Sequence, residues 1–81
     1  MERMIIRLNS IKKVREFVDI ANQYEGEINV KLGRYIVNGK STLSILCLEL
    51  QNNFILEIES GENLPALIQK LEPYIVSDSY C

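Results

Sequence analysis

The chain contains no histidine and no tryptophan, and only two cysteines, Cys47 and Cys81, among its 81 residues. Without an imidazole it cannot build a Ser-His-Asp or Cys-His catalytic arrangement, and two cysteines alone cannot complete a zinc site. Cys47 has no evident activating base, and it lies in an apolar run that favours a buried, reduced thiol. A disulfide to Cys81 is the less favoured alternative. We therefore expect no enzyme activity, no metal and no cofactor.

An excess of basic residues and a long apolar run are also missing. The formal net charge is -2, which argues against a nucleic-acid binder because such a protein needs cations to displace counterions from phosphates. The charges are divided, however: residues 1–40 carry eight Lys and Arg against five Asp and Glu, and residues 41–81 carry one against six. No stretch approaches the ~20 apolar residues of a membrane span, and no signal peptide is visible. We expect a cytoplasmic protein of bacterial type.

The hydrophobic content of 47% predicts one small domain over residues 1–81, with its core in about 4–75 and a polar tail at 77–81. Apolar periodicity predicts seven elements. In chain order they are a strand at 4–8, a helix at 11–24, strands at 27–32 and 35–37 joined by a two-residue turn, a helix opened at Ser41 and running to about residue 50, a strand at 54–58, and a last helix. The order βαββαβα predicts an α+β, two-layer open-faced sandwich, with a four-stranded antiparallel sheet covered on one face by three helices.

Local signals predict where these elements begin and end. Ser10 is the expected N-cap of the first helix, and Gly26 its C-terminal cap residue. Asn63 is expected to cap the last helix, and Pro73 to distort or end it. Ile75 is the last candidate for that helix's inner stripe.

Two further motifs are interpreted as structural. Glu57 and Glu59 are spaced two apart on one strand, and we expect solvent-exposed side chains rather than an acid/base pair. Gly39-Lys40-Ser41 matches the end of a phosphate-binding loop, but Arg34 stands where the first glycine of that motif is required, so the motif fails.

Residues 38–48 read Asn-Gly-Lys-Ser-x-Leu-x-Ile-Leu-x-Leu, and this segment resembles the HPr family, the small phosphocarrier proteins of the bacterial sugar phosphotransferase system. A weaker match lies in the first helix, at Glu16-Phe17-Val18 and Ala21. The similarity covers roughly residues 4–75. It implies the sheet order 1-4-2-3.

The chain departs from the family at the phosphorylation loop. The family carries a Gly-(Leu/Ile)-His-(Ala/Thr)-Arg-Pro motif at the start of the first helix, and the corresponding residues 8–13 read Leu-Asn-Ser-Ile-Lys-Lys. The histidine position falls near Ser10, and Lys12 falls near the arginine. A serine phosphoester lacks the transfer potential of a phosphohistidine, so the resemblance implies an HPr-like protein without phosphohistidine transfer.

The resemblance also implies which residues take part in regulation and binding. Ser41 falls where a regulatory kinase phosphorylates Gram-positive relatives, although its simpler role is to cap the helix. Leu43 and Leu46 occupy positions of the family's exposed partner-binding patch, where Thr42 replaces an apolar residue. The alternative for both leucines is a place in the core. Lys12, Lys13 and Arg15 place cations in the first turns of helix one, as a binding patch or simply as a solvated face.

Three hypotheses follow. The first is a regulatory protein-interaction module whose protein partner is a transcription regulator, a kinase or a phosphotransferase-system component. The second is a small-anion or phosphate-binding module that uses Lys12, Lys13 and Arg15. The third is a structural or oligomerising domain. In each case we expect a monomer or weak homo-oligomer, with no nucleic-acid or membrane partner.

Overall fold

The computed structural model describes residues 2–77. Its elements confirm the predicted order and add one strand at the end. They are β1 (Glu2–Arg7), α1 (Ile11–Asn22), β2 (Ile28–Leu32), β3 (Tyr35–Asn38), α2 (Thr42–Leu46), β4 (Asn53–Ile58), α3 (Leu64–Leu71), a 3₁₀ turn (Glu72–Tyr74) and β5 (Ile75–Ser77). None of the helices in this part of the chain combines the length and hydropathy needed to cross a membrane.

The sheet is antiparallel in the order β3-β2-β4-β1-β5. Its first four strands have the predicted order 1-4-2-3, but the predicted strand count of four is wrong. Pro73 ends α3 as expected, and the chain then makes a 3₁₀ turn. The two β-branched residues that follow, Ile75 and Val76, extend instead of continuing the helix, and they bring β5 against β1. Ser77 therefore belongs to a strand rather than to a polar tail, and residues 78–81, including Cys81, lie outside the described residues.

One layer of helices covers one face of this sheet and encloses the core. Alternate strand residues point to the same face, so Ile6, Phe54 and Leu56 meet the helices. The apolar stripe of α1 is buried as its periodicity predicts, at Val14, Phe17, Val18 and Ala21. Tyr74, in the 3₁₀ turn after α3, places its ring edge-on to Phe17, with centroids 6.3 Å apart.

Two predicted helix ends are wrong, and one predicted cap is right in its position only. Helix α1 ends at Asn22 with Gln23 as its C-cap, so Gly26 belongs to the following loop. Asn63 occupies the N-cap position of α3, but its side chain makes no capping hydrogen bond. Helix α2 ends at Leu46, four residues earlier than expected, because the chain turns there to bring Leu48 and Leu50 partly into the core.

The expectation that Glu57 has a solvent-exposed carboxylate is wrong. Glu57 is only 8% exposed, although it lies on the sheet face away from the helices. Arg3 on β1 donates to it at 2.8 Å, and the Lys31 ammonium on β2 lies 3.6 Å away. The hydrogen bond from Arg3 lowers the pKa of Glu57, burial opposes this effect, and Lys31 lowers the pKa further. Glu59, by contrast, is exposed.

The Glu57 cluster is expected to make stability depend on pH in the acid range. A carboxyl group whose pKa is lower in the folded state contributes stability above its ordinary value, 4.5, and loses it as the pH falls through the folded-state value. We expect Glu57→Gln to lower the free energy of unfolding by about 1 kcal/mol near neutral pH. The difference in free energy between the variant and the wild type should shrink as the pH falls below the ordinary pKa of the carboxyl group, 4.5. Urea denaturation at a series of pH values measures this. Glu62→Gln, at an exposed loop position, should show little difference at any pH, and a Glu57→Gln difference that does not shrink in acid would contradict the assignment.

Candidate functional site

Ser10 begins α1 as its N-cap, as predicted. Its hydroxyl oxygen accepts a hydrogen bond from the Lys13 backbone N–H at 3.2 Å. The chain reaches it through a tight turn in which the Ser10 N–H donates to the carbonyl of Leu8 and Asn9 adopts a φ of 32°. Asparagine is one of the few residue types that tolerates this backbone region. The sequence analysis missed the turn, and Asn9 was the available signal.

The cations predicted at the start of α1 are all exposed. Lys12, Lys13 and Arg15 make no ion pair with any other residue between 2 and 77. Lying in the first turns, they oppose the helix dipole and gain nothing from it. Their charges are therefore free to meet an anionic or acidic partner. The small-anion alternative remains a prediction.

Ser41 is the N-cap of α2, as predicted. Its half-buried hydroxyl oxygen accepts from the Ser44 backbone N–H at 3.3 Å, and its own N–H donates to the Asn38 carbonyl. The preceding Gly39 lets this loop pass directly over β2, because a Cβ there would lie 2.6 Å from the Ile28 side chain. The close approach fixes where α2 begins.

Lys40 ties the start of α2 to the end of α1, a contact that the sequence analysis missed. Its ammonium donates to the Tyr24 carbonyl, just beyond the α1 C-terminus, and its own carbonyl accepts from Asn22 Nδ2 at 3.3 Å. A cation is favourable at a helix C-terminus. Lys40 therefore has a structural role beside Ser41, and the only sequence signal was its place in the Gly39-Lys40-Ser41 motif.

The segment from Lys40 to Gln51, which contains α2, runs alongside α1. It begins near the C-terminal end of α1 and ends near the N-terminal end of α1. The Lys40 contacts fix one end. At the other, Arg7, three residues before the N-cap of α1, donates to the Gln51 carbonyl at 3.4 Å. The structure thus places the predicted binding residues on two neighbouring helices, and we call them the helix surface. They are Lys12, Lys13, Arg15, Thr42, Leu43 and Leu46.

Within the helix surface the two leucines differ. The Leu43 side chain is 78% exposed, whereas Leu46 is partly buried and packs against the core. Thr42 is half-buried. The alternative that both leucines belong to the core is therefore wrong for Leu43 and partly right for Leu46. Leu43 is the principal apolar group that this surface exposes to solvent.

Cys47 is exposed rather than buried. The expectation of a buried thiol assumed that the apolar run continued as a helix, but α2 stops at Leu46 and Cys47 becomes its C-cap. The flanking leucines, Leu46 and Leu48, supply the contacts with the core.

Comparison with known proteins connects this geometry to one family. A family model described as the PTS HPr component phosphorylation site matches residues 11–77. The crystal structure of HPr-C-His from Thermoanaerobacter tengcongensis superimposes with a TM-score of 0.76 at 24% sequence identity, covering 90% of this chain and 89% of that one, which shows the same fold. A search of curated proteins found no match.

Proposed function

This chain belongs to the PTS HPr family, and we propose that within it the protein is a non-catalytic regulatory module that acts through protein contacts rather than phosphohistidine transfer. The sequence contains no histidine, and the residue nearest the family's histidine position is Ser10. The Ser10 hydroxyl is used as a helix cap. The family match itself begins at residue 11, directly after this serine.

The exposure of Leu43 is the observation that carries this proposal. A leucine that is 78% exposed on a helix beside α1 adds nothing to the core, and an apolar anchor bordered by charge is typical of a protein interface. The exposed cations on the neighbouring helix α1 supply the charge. We propose a protein partner with an apolar pocket for Leu43 and acidic residues facing Lys12, Lys13 and Arg15.

Ser41 supports a way of regulating this contact. It lies two residues before Leu43, and a phosphate on its hydroxyl would add close to two negative charges beside the helix surface. Those charges would attract or repel a partner that binds the same surface. Lys40 is adjacent but already donates to the Tyr24 carbonyl, so we propose that the partner supplies the cation that pairs with the phosphate.

Incubation with purified HPr kinase and ATP is expected to add one phosphate to the protein, and to place it on Ser41. Intact-mass measurement and peptide mapping by mass spectrometry provide the readout. Ser44→Ala should accept the phosphate like the wild type, because it changes a neighbouring serine, whereas Ser41→Ala should not. An unmodified wild type, or a phosphate on another serine, would remove the phosphorylation step from the proposal and leave the contact surface to be tested separately.

A further inference from the structure

Strand β3 forms one edge of the sheet and is poorly protected against pairing with another strand. It lies outside β2 in the strand order. Its residues, Tyr-Ile-Val-Asn, include neither a charge nor a proline, the usual means of blocking edge pairing. Two of its large side chains are exposed, Tyr35 at 63% and Ile36 at 59%. An open edge and two exposed apolar side chains thus occur in the same four residues.

The register of the β2–β3 hairpin shows which backbone groups this edge offers. Leu32 pairs with Tyr35 across the two-residue turn, and Lys31 pairs with Ile36. Residues that flank such a turn exchange hydrogen bonds, so the next pair does not, and the N–H and C=O of Ile36 point away from β2. Asn38 also points outward, but its carbonyl already accepts from the Ser41 N–H. Ile36 therefore offers the free donor and acceptor.

A second copy of the chain matches this pattern. We propose that β3 pairs antiparallel with β3 of another copy about a two-fold axis at Ile36, forming a weak dimer with one sheet continuous through both copies. In this register Ile36 exchanges both hydrogen bonds with its own counterpart. Tyr35 lies opposite Val37 of the second copy, so the exposed tyrosine gains an apolar neighbour.

The charges at the ends of the strand fit the same two-fold pairing. Arg34, in the turn that precedes β3, lies opposite the uncharged Asn38 of the second copy, so this cation does not face another. On the open sheet face, the cross-strand row that contains Ile5, Ile55, Lys31 and Ile36 is extended by its symmetry copy. Because the strand has only four residues, the contact is small and the dimer is expected to be weak.

Sedimentation velocity of the full-length protein over a wide concentration range, in reducing buffer to prevent intermolecular disulfides, tests this dimer. We expect reversible self-association in the wild type. Ile36→Lys places a charge at the two-fold axis, and Ile36→Pro removes the outward N–H without removing a hydrogen bond to β2. Each should raise the dimer dissociation constant at least about tenfold. Ile11→Lys changes an isoleucine of similar exposure, 54%, on α1, and should leave it within about twofold.

Three results would overturn the proposal: a wild type that stays monomeric throughout, Ile36 variants that dimerise as the wild type does, or an Ile11→Lys variant that is weakened equally. Circular dichroism checks that each variant is folded, and either Ile36 variant suffices if the other is not. The dimer does not use the helix surface, so its failure would leave the proposed regulatory function standing.

Discussion

Replacing Leu43 with glutamate is expected to weaken binding to the proposed protein partner by about 2 kcal/mol, or roughly 30-fold, with little change in stability. Leu43 is the most exposed large apolar side chain among the described residues, so its removal costs the core almost nothing. An acidic residue is also well tolerated in the first turn of a helix. In the complex, however, the carboxylate would enter an apolar pocket and face the acidic residues that we propose opposite α1.

Comparing the wild type with one matched control tests this expectation. Immobilised wild-type protein captures partners from an extract of its own organism, and the dissociation constant of each captured protein is then measured by calorimetry. Val76→Glu places the same charge at another exposed apolar position, on β5, and should bind as the wild type does. If Leu43→Glu also bound every partner unchanged, the helix surface would not be the binding site.

The largest expected effect on stability belongs to Phe17. Its side chain is fully buried and meets the edge of the Tyr74 ring, so Phe17→Ala removes transfer free energy and leaves a cavity between α1 and the turn after α3. We expect a loss of about 3 to 5 kcal/mol. A domain of this size is stable by about 5 to 15 kcal/mol, so the variant should be near the unfolding threshold.

Urea denaturation measures this loss, and Tyr35→Ala is its control. Tyr35 is also aromatic but mostly exposed, so its loss should change the free energy of unfolding by no more than about 0.5 kcal/mol. If Phe17→Ala lost no more free energy of unfolding than Tyr35→Ala, the contact between α1 and Tyr74 would not be a central part of the core.

The features that the sequence predicted correctly are those set by neighbouring residues. The three- and four-residue spacing in α1 identified its buried face because a helix repeats on that scale. Ser10 and Ser41 were identified as caps because each hydroxyl bonds to a backbone N–H only three residues ahead. The two-residue turn at Gly33 likewise followed from local geometry, and Gly33 has the positive φ that such a turn needs.

The errors share a different cause, which is contact between distant parts of the chain. Glu57 appeared to be a surface carboxylate until the sheet placed Arg3, fifty-four residues away in sequence, beside it. Ile75 fitted the helical stripe of α3, but the free edge of β1 gave it a strand partner. Cys47 was expected to be buried because α2 was predicted to continue past it. The helix ends at Leu46 instead, where the chain turns to pack its later leucines against the core, and Cys47 is left exposed.

The candidate site shows both kinds of result. The cations of α1 and the apolar residues of α2 were visible as a pattern, but the difference between Leu43 and Leu46 depends on how a five-residue helix lies against α1. The Lys40 contact with Tyr24 sets that position. No periodicity within the helix contains this information.

The most direct test of the proposed function is an NMR titration of the isotope-labelled full chain with the partner captured by the wild type. Contact through the helix surface predicts that the amide signals of residues 10–15 and 41–48 shift or broaden, and that those of β4 on the open sheet face do not. Shifts centred on the sheet face around Ile55 and Glu57, with the two helices unaffected, would contradict it.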